Sequence, residues 1–288
     1  MAIRVLSSDP PVPVAVPTAE LGEGAHWDAD SGALYWVDAP AGLVYRLDTD
    51  GNLQHWDAGQ PVGAVVHRAG GGLVLTASDG FLVMDTGTGA VTPLAPVEAD
   101  KPATRMNDGA CDRAGRFWAG TMAADESAGQ GALYRLDPDL RLTRLRTGVG
   151  ISNGIGWSPD GTRMYYVDSL AYQIEVMDYD PATGETGRSR VLASLGHGGV
   201  MPDGLTVDAD GYVWVAVWGG GAVQCYRPDG RLCQMVKVPV ANVTSCAFGG
   251  PDLDVLYITT AAGPGAAPGA LFSCRPGVTG QVCHPFRG

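Results

Sequence analysis

The stretch GWSPDGTRMYYVDSLAYQIEVMDYD, residues 156–180, contains the pattern that decides the fold of this chain. It consists of a turn at Asp160-Gly161, a strand rich in Tyr and Val, and a hairpin that brings the chain back. Related stretches begin at five other points, namely His26 (HWDADSGALYWVDAPAGLVYRLD), Val65 (VVHRAGGGLVLTASDGFLVMD), Ala110 (ACDRAGRFWAGTM), Thr206 (TVDADGYVWVAVWGGGAVQCYRPDG) and Ala247 (AFGGPDLDVLYITTA). The sequence therefore contains six copies of one unit built from short strands.

The spacing of the copies predicts how the units assemble. The turn positions are 40 to 50 residues apart and fall on Gly32, Gly72, Gly115, Gly161, Gly211 and, in the sixth copy, Leu253. A period in the forties with several strands per repeat is typical of a β-propeller, in which each blade is a four-stranded antiparallel sheet. A β-sandwich pair or a barrel also has regular turns, but neither predicts six full-length copies. We predict an all-β, six-bladed propeller in a single domain of residues 1–288, with the N-terminal segment 1–19 as a candidate to close the last blade.

Composition narrows the classes of function. Hydrophobic residues make up 45% and charged residues 17% of the 288 residues, a balance typical of a well-packed globular protein. The net charge of −12, without any run of Lys or Arg, disfavours nucleic acid as a partner, because binding a phosphate backbone requires a basic surface. No stretch reaches the roughly 18 apolar residues of a membrane span. We therefore expect no nucleic-acid or membrane partner.

The N-terminus and the cysteines bear on the cellular compartment. The first 20 residues, MAIRVLSSDPPVPVAVPTAE, lack the apolar run of a signal peptide, so we expect a cytoplasmic protein. Six cysteines are scattered without a CxxC pair, and we expect reduced thiols, with a Cys225–Cys233 or Cys274–Cys283 bridge as the alternative. Nothing in the sequence indicates an obligate interface, so we expect a monomer.

A set of polar residues recurs at one position of the repeat, just ahead of the first strand. Glu23, Asn153 and Asp203 each precede a glycine and lie eight or nine residues before the turn glycine of their copy, and Asn107-Asp108 occupies the same place. The two remaining copies have Gly63-Ala64 and Thr244-Ser245 there. Because the first strand of every blade lines the central channel, these positions form a ring around the axis.

The ring predicts a metal site in the central channel. It offers carboxylate and amide oxygens without a thiolate, which suits one hard divalent cation, Ca²⁺ first, with Zn²⁺, Mn²⁺, Mg²⁺ or Fe²⁺ as alternatives. Taken one at a time, Asp-Gly and Asn-Gly are common turn dipeptides with no role in function. Their recurrence at one phase of the repeat favours the metal site.

The same residues lie in motifs that resemble the gluconolactonase/regucalcin family, also called the senescence marker protein family. The motifs are LGEGAHW from Leu21, RMNDGACDRAGRFWAGTMAADES from Arg105, GISNGIGWSPDGTRMYYVDS from Gly150, MPDGLTVDADGYVWVAVWGGGAV from Met201 and NVTSCAFGG from Asn242. The resemblance runs from about Glu20 to the last blade.

The resemblance implies a six-bladed propeller with one divalent metal on the axis, held by Glu23, Asn153 and Asp203. It further implies that Arg105, Asn107 and an acidic residue at Asp125 bind the substrate. The family often has Glu where this chain has Asp125, so whether Asp125 or the neighbouring Glu126 contacts substrate stays open.

The expected activity is hydrolysis of a sugar lactone, a small molecule, to the aldonic acid. In this hypothesis the metal polarises the lactone carbonyl, and Asp203 also accepts the proton of the attacking water. The alternatives are a calcium-binding, regucalcin-like protein and another metal-dependent esterase or phosphotriesterase on the same propeller. A catalytic histidine, for which His26 and His197 are the candidates, would favour the last of these.

Overall fold

The computed structural model describes residues 10–196, 198–263 and 269–288. Apart from one short 3-10 helix (Ser169–Ala171), the regular elements of these residues are strands. In chain order they are β1 (Val12–Pro13), β2 (Gly22–Asp28), β3 (Ala33–Asp38), β4 (Leu43–Asp48), β5 (Leu53–Asp57), β6 (Val62–His67), β7 (Leu73–Ala77), β8 (Gly80–Met84), β9 (Val91–Pro96), β10 (Thr104–Cys111), β11 (Phe117–Ala123), β12 (Gly131–Leu136), β13 (Leu142–Val149), β14 (Ser152–Trp157), β15 (Arg163–Asp168), β16 (Gln173–Asp180), β17 (Glu185–Ser194), β18 (Met201–Val207), β19 (Val213–Trp218), β20 (Ala222–Tyr226), β21 (Leu232–Lys237), β22 (Val243–Gly249), β23 (Val255–Thr260) and β24 (Phe272–Cys274).

These strands form six antiparallel sheets of four strands each, which confirms the predicted six-bladed propeller. In the first five blades the strand order within the sheet follows the chain. The innermost strands β2, β6, β10, β14, β18 and β22 contact one another in a closed ring and surround the axis. We call the end of the channel where these strands begin the upper mouth and the opposite end the lower mouth.

The last blade is built from both ends of the chain. Its strand order is β22, β23, β24 and β1, so that the N-terminal segment supplies the outermost strand. Val12 pairs with Ser273 and Pro13 with Phe272. The proline is tolerated because the strand lies at the edge of the sheet, where its missing N–H leaves no ladder bond unmade.

The hydrophobic core lies between neighbouring blades, and its largest members are tryptophans. Trp118 and Trp214 are fully buried, and each donates its indole N–H to an aspartate six residues earlier in its own blade. The acceptors are Asp112 Oδ2 at 2.9 Å and Asp208 Oδ2 at 2.8 Å. These bonds satisfy the polar atom that burial of an indole would otherwise leave without a partner.

Asp112 also joins two blades. Its Oδ2 accepts a bond from Arg116 Nε at 2.7 Å and one from the hydroxyl of Tyr179, in the next blade, at 2.6 Å. Its Oδ1 accepts from the backbone N–H of Ala114 and of Arg116. Asp112 is buried, so every bond that it accepts offsets part of the cost of removing its charge from water.

Residues 275–288, which we call the C-terminal strap, cross the lower mouth of the channel. The strap bonds to four other blades, since Ala209 donates its N–H to Thr279, Gln281 donates to the Trp157 carbonyl, Arg287 to that of Gly115 and Phe286 to that of His67. The Phe286 ring is fully buried and packs against Phe117 at a centroid distance of 6.5 Å. The strap therefore stabilises the closed ring of blades, a role that the sequence did not indicate.

All six cysteines lie within the described residues and are free thiols, as expected. Of the two bridges considered, Cys225 and Cys233 come close, with their Sγ atoms 3.5 Å apart on neighbouring strands. Among the described residues, no helix has the length and apolar character that crossing a membrane requires.

Candidate functional site

The polar residues of the ring lie at β-bulges in the innermost strands. The register with the second strand shifts between Glu23 and His26, Met106 and Gly109, Ser152 and Ile155, and Pro202 and Leu205. The expectation that these residues precede the strands was therefore wrong, since they are the second to fifth residues of their strands. The glycines suggested turns, but they belong to bulges, which re-aim a side chain without ending a strand.

Close packing of neighbouring strands requires the glycines that follow. A Cβ on Gly154 would lie 2.7 Å from the Asp203 carbonyl oxygen, and one on Gly204 would lie 2.6 Å from Ser245 Oγ. Neither glycine has a positive φ, so the turn-dipeptide interpretation does not apply to them. The small residue lets adjacent blades approach, and this brings Asn153 and Asp203 to the same side of the axis.

Three carboxylates face one another at the upper mouth. Asp203 and Asp108 are 5% and 8% exposed, and Glu23 is half-buried. Burial, together with the charges of Asp203 and Asp108, raises the pKa of Glu23 well above its ordinary value. Burial and the charge of Asp108 do the same to the pKa of Asp203, and burial raises the pKa of Asp108 to about 6.

One atom of this group lacks a hydrogen bond. Asp203 Oδ1 is buried and has no partner among the described residues, whereas Asp108 Oδ1 accepts the N–H of Gly109 at 2.7 Å. An ionised buried carboxylate oxygen without a donor or cation is costly, because it has lost its water and gained nothing in return. The position therefore suits a ligand that supplies positive charge.

Asn153 is held in one orientation by its neighbours. Its Nδ2 donates to Ser169 Oγ at 2.8 Å, and that hydroxyl donates to the carbonyl of Pro202, the residue before Asp203, at 2.7 Å. Asn153 Oδ1 accepts a bond from Asn107 Nδ2 at 3.0 Å. Because Ser169 takes the amide N–H, the oxygen of Asn153 is turned toward Asn107 with one lone pair left for a further partner.

Asn107 and Arg105 form the next part of the site. Asn107 Nδ2 also donates to the Ser152 carbonyl at 2.9 Å, and Asn107 Oδ1 accepts from Arg105 Nη1 at 2.9 Å. Asn107 thereby links Arg105 to Asn153. Burial lowers the pKa of Arg105, although the carboxylates of Glu23 and Glu126 counteract this effect. The guanidinium is the positive charge that faces Glu23.

Asp125 and Glu126, which follow the second strand of the third blade, have different surroundings. Both are exposed, and Asp125 Oδ1 accepts the N–H of Ser127 at 3.0 Å within its own loop. Glu126 has a positive φ of 61°, and its negative charge interacts with the guanidinium of Arg105. The structure thus brings Glu126 toward Arg105, while the carboxylate of Asp125 stabilises its own turn.

The donor set fits a hard divalent cation. Glu23, Asn153 and Asp203 offer carboxylate and amide oxygens, and Asp203 Oδ1 needs a positive partner. Within the described residues, no group of three or more His, Cys, Asp or Glu side chains is arranged to hold a metal. The predicted set has two such residues, since its third member is an amide.

The histidine candidates lie away from this group or outside the described residues. His26 Nε2 and His67 Nδ1 are 2.7 Å apart, three to four residues down their strands from the ring, or about 10 Å toward the lower mouth. Burial, then the neighbouring His67 and His284, lowers the pKa of His26 well below its ordinary value. His197 lies outside the described residues.

Below the carboxylates, a cavity of about 130 Å³ follows the axis toward the C-terminal strap. Asp108, His26 and Thr206 of the innermost strands line it, together with His284 of the strap. At about 30 Å³ per molecule, it has room for roughly four waters. A cavity with both apolar and polar walls, rather than close-packed core, therefore lies beneath the upper mouth.

Sequence reasoning missed Ser169, which orients Asn153 from a different part of the blade. In the sequence, the one indication of Ser169 is the motif YYVDSLAY, in which Asp168 caps the short helix and Ser169 follows. The sequence offered Asp108 only as a neighbour of Asn107, yet its carboxylate adds a third charge. Both contributions depend on contacts between separate segments of the chain.

Comparisons with known proteins show related sequences and the same fold. A family model described as "SMP-30/Gluconolactonase/LRE-like region" matches residues 21–262. Regucalcin from Xenopus laevis is 39% identical over 251 residues, covering 85% of this chain and 84% of that protein. Among solved structures, a luciferin-regenerating enzyme has a TM-score of 0.90 at 28% identity, covering 96% of this chain and 100% of that one. A calcium-binding protein, regucalcin, from Agrobacterium tumefaciens has a TM-score of 0.89 at 29% identity, covering 94% and 95%.

Proposed function

The chain belongs to the SMP-30/gluconolactonase/LRE-like family, and on that premise we propose that it is a divalent-metal-dependent hydrolase of sugar lactones. One observation carries the proposal. Glu23 and Asp203, which lie 180 residues apart in the first and fifth blades, interact through their charges at the upper mouth, and Asp203 Oδ1 has no partner among the described residues. A monomeric state and a small-molecule substrate are parts of the same proposal.

The cation would be held by Glu23, Asn153 and Asp203. Ca²⁺ is the first choice because the ligands are oxygens and because the relative from Agrobacterium is described as calcium-binding. When bound, a divalent cation supplies Lewis-acid polarisation of a carbonyl oxygen. Two carboxylates would balance its charge, and the cation would counteract the burial and the carboxylate repulsion that raise the pKa of Glu23 and of Asp203.

The side chains of the protein then have separate tasks. Asp203 accepts the proton of the attacking water, a contribution typically worth 10²–10⁴ in rate. Arg105 donates hydrogen bonds to substrate hydroxyls or to the developing oxyanion, and Asn107 positions both Arg105 and Asn153 through the bonds that its amide makes. The exposed loop of residues 124–130, with Glu126 facing Arg105, borders the space above them.

A pH-stat assay of a panel of aldonolactones tests the proposal. The chelator-treated protein should be inactive, and adding back Ca²⁺, Zn²⁺, Mn²⁺, Mg²⁺ or Fe²⁺ in turn should restore turnover with at least one ion. Asp203→Ala at saturating metal should lose 10² or more in kcat. The matched control is Asp210→Ala, an exposed aspartate in the same blade, which should keep full activity.

The second candidate is a calcium-binding protein without catalysis, which the name of the Agrobacterium relative favours. The two functions separate in one experiment. Saturable Ca²⁺ binding that depends on Asp203, with no turnover of any lactone with any of the five metals, would replace hydrolysis by binding. Near-full activity of Asp203→Ala would instead remove Asp203 from the reaction while leaving the lactonase intact.

A further inference from the structure

A second pocket lies at the upper mouth beside Arg105, between the first three blades. Its volume is about 180 Å³. Apolar residues form most of its wall, with Ser78 and Arg105 as the polar members, and the apolar residues used below are Leu21, Pro61, Val62 and Met106. Pro61 is exposed, whereas Val62 and Met106 are each 2% exposed, so the pocket opens to solvent and has a buried apolar floor.

Arg105 makes this pocket continuous with the candidate site. Arg105 lines the pocket, and its guanidinium bonds to Asn107 and interacts with the charge of Glu23. A ligand that contacts Arg105 from the channel side therefore has the apolar wall directly beyond it. Apolar clefts with a few convergent polar groups are the usual form of small-molecule sites.

The wall is preformed rather than dependent on a ligand. Ala39 donates its N–H to the Leu21 carbonyl at 2.9 Å, and Val62 donates to the Ala39 carbonyl at 3.0 Å, so backbone bonds tie the first two blades together there. A rigid pocket takes up a hydrocarbon group without an ordering cost to the protein. An apolar cavity of about 150 Å³ is large enough for benzene, so this one has room for a chain of about four carbons.

We propose that this pocket is a subsite for an alkyl substituent on the lactone, so that the preferred substrate has a polar ring at Arg105 and a hydrocarbon chain against Leu21, Val62 and Met106. The inference rests on the proposed lactonase function and narrows its substrates to lactones whose polar ring carries an alkyl substituent. A substrate with hydroxyls on every side would leave this wall in contact with water, whereas an alkyl chain removes both surfaces from water. Each methylene so buried strengthens binding about fourfold.

Two lactones of equal ring size provide the first test. γ-Octalactone carries a butyl chain that γ-butyrolactone lacks. With metal bound, kcat/KM should be at least about tenfold higher for γ-octalactone, which allows for a chain that is only half buried. Ser78→Phe should fill the pocket and bring the ratio near one, while Ser78→Ala, the matched control, should keep the ratio.

Direct binding separates this inference from the proposed function. In an NMR titration of the chelator-treated protein, hexanoate should bind at least about tenfold more tightly than acetate, and Ser78→Phe should remove the difference. If hexanoate is preferred but no lactone is hydrolysed, the subsite stands and the lactonase fails. If both lactones react with equal kcat/KM, or hexanoate binds no better than acetate, the subsite is refuted while the lactonase stands.

Discussion

Replacing Asp203 with asparagine should stabilise the metal-free protein and at the same time abolish its stabilisation by metal. Asp203 is 5% exposed, its Oδ1 has no partner among the described residues, and Glu23 and Asp108 repel its charge. Asparagine has nearly the same shape but no charge. The substitution therefore removes an uncompensated buried charge without creating a cavity.

The expected size of the effect follows from removal of the charge. An unsatisfied buried group costs about 1–3 kcal/mol when it is neutral and more when it is charged; asparagine keeps the polar atoms but not the charge, so the metal-free variant should gain about 2 kcal/mol. For a chain of 288 residues that gain corresponds to roughly 3–4 °C in Tm. In the wild-type protein, a metal at 100 times its Kd should add about 2.7 kcal/mol, which the variant should lack.

The pH dependence of stability provides a second check on the direction of the effect of Asp203→Asn. The folded pKa of Asp203 is raised above the unfolded value, so the cost of its charge is fully present above the folded pKa, shrinks as the pH falls below it, and is gone below the unfolded value. The advantage of Asp203→Asn should therefore be largest near pH 8 and shrink on acidification. Differential scanning calorimetry with EDTA, and then with a calcium titration, measures both quantities.

Asp208→Asn is the matched control. Asp208 is equally buried in the same blade, but its oxygens accept from Trp214 Nε1 and from the N–H groups of Asp210 and Tyr212. An amide there turns an N–H toward a donor, so this variant should lose stability. A metal-free Asp203→Asn that is less stable than wild type, or one that calcium stabilises to the wild-type extent, would contradict the reasoning.

Three further predictions concern the scaffold. Phe286→Ala should cost about 3–5 kcal/mol in urea unfolding, because the ring is fully buried under the strap, whereas the half-exposed Val282→Ala should change stability by no more than about 0.5 kcal/mol. Asp112→Asn should cost about 3–5 kcal/mol by the same assay. It breaks the buried ion pair with Arg116, and it weakens the acceptor for the side-chain donors of Trp118 and Tyr179. Because burial holds the pKa of His26 well below its unfolded value, stability should fall on acidification through the unfolded value. With metal saturating, the loss should be about 1.4 kcal/mol between pH 7.5 and 5.5, and thermal unfolding of His26→Gln should lack it; an equal loss in both proteins would contradict this assignment.

The repeat was sufficient to predict the fold because a propeller is periodic. Six copies with a period of 40 to 50 residues specify six sheets, and the phase of the repeat then specifies which residues share a level of the channel. Glu23, Asn153 and Asp203 could be grouped in this way although they are up to 180 residues apart. The precise position of the group within its strands was wrong, because a bulge and a turn use the same Asn-Gly or Asp-Gly dipeptide.

Features that break the repeat could not be predicted from it. Ser169 turns Asn153 through a side-chain bond, Arg105 borders an apolar pocket formed by three blades, and the C-terminal strap crosses the lower mouth. None of these belongs to the six-fold pattern. The sequence by itself determined the architecture and the ring of oxygen ligands, since both follow from periodicity and residue type. Only the tertiary structure decided the burial, the orientation and the missing partner of Asp203, because these depend on distances between segments that are remote along the chain.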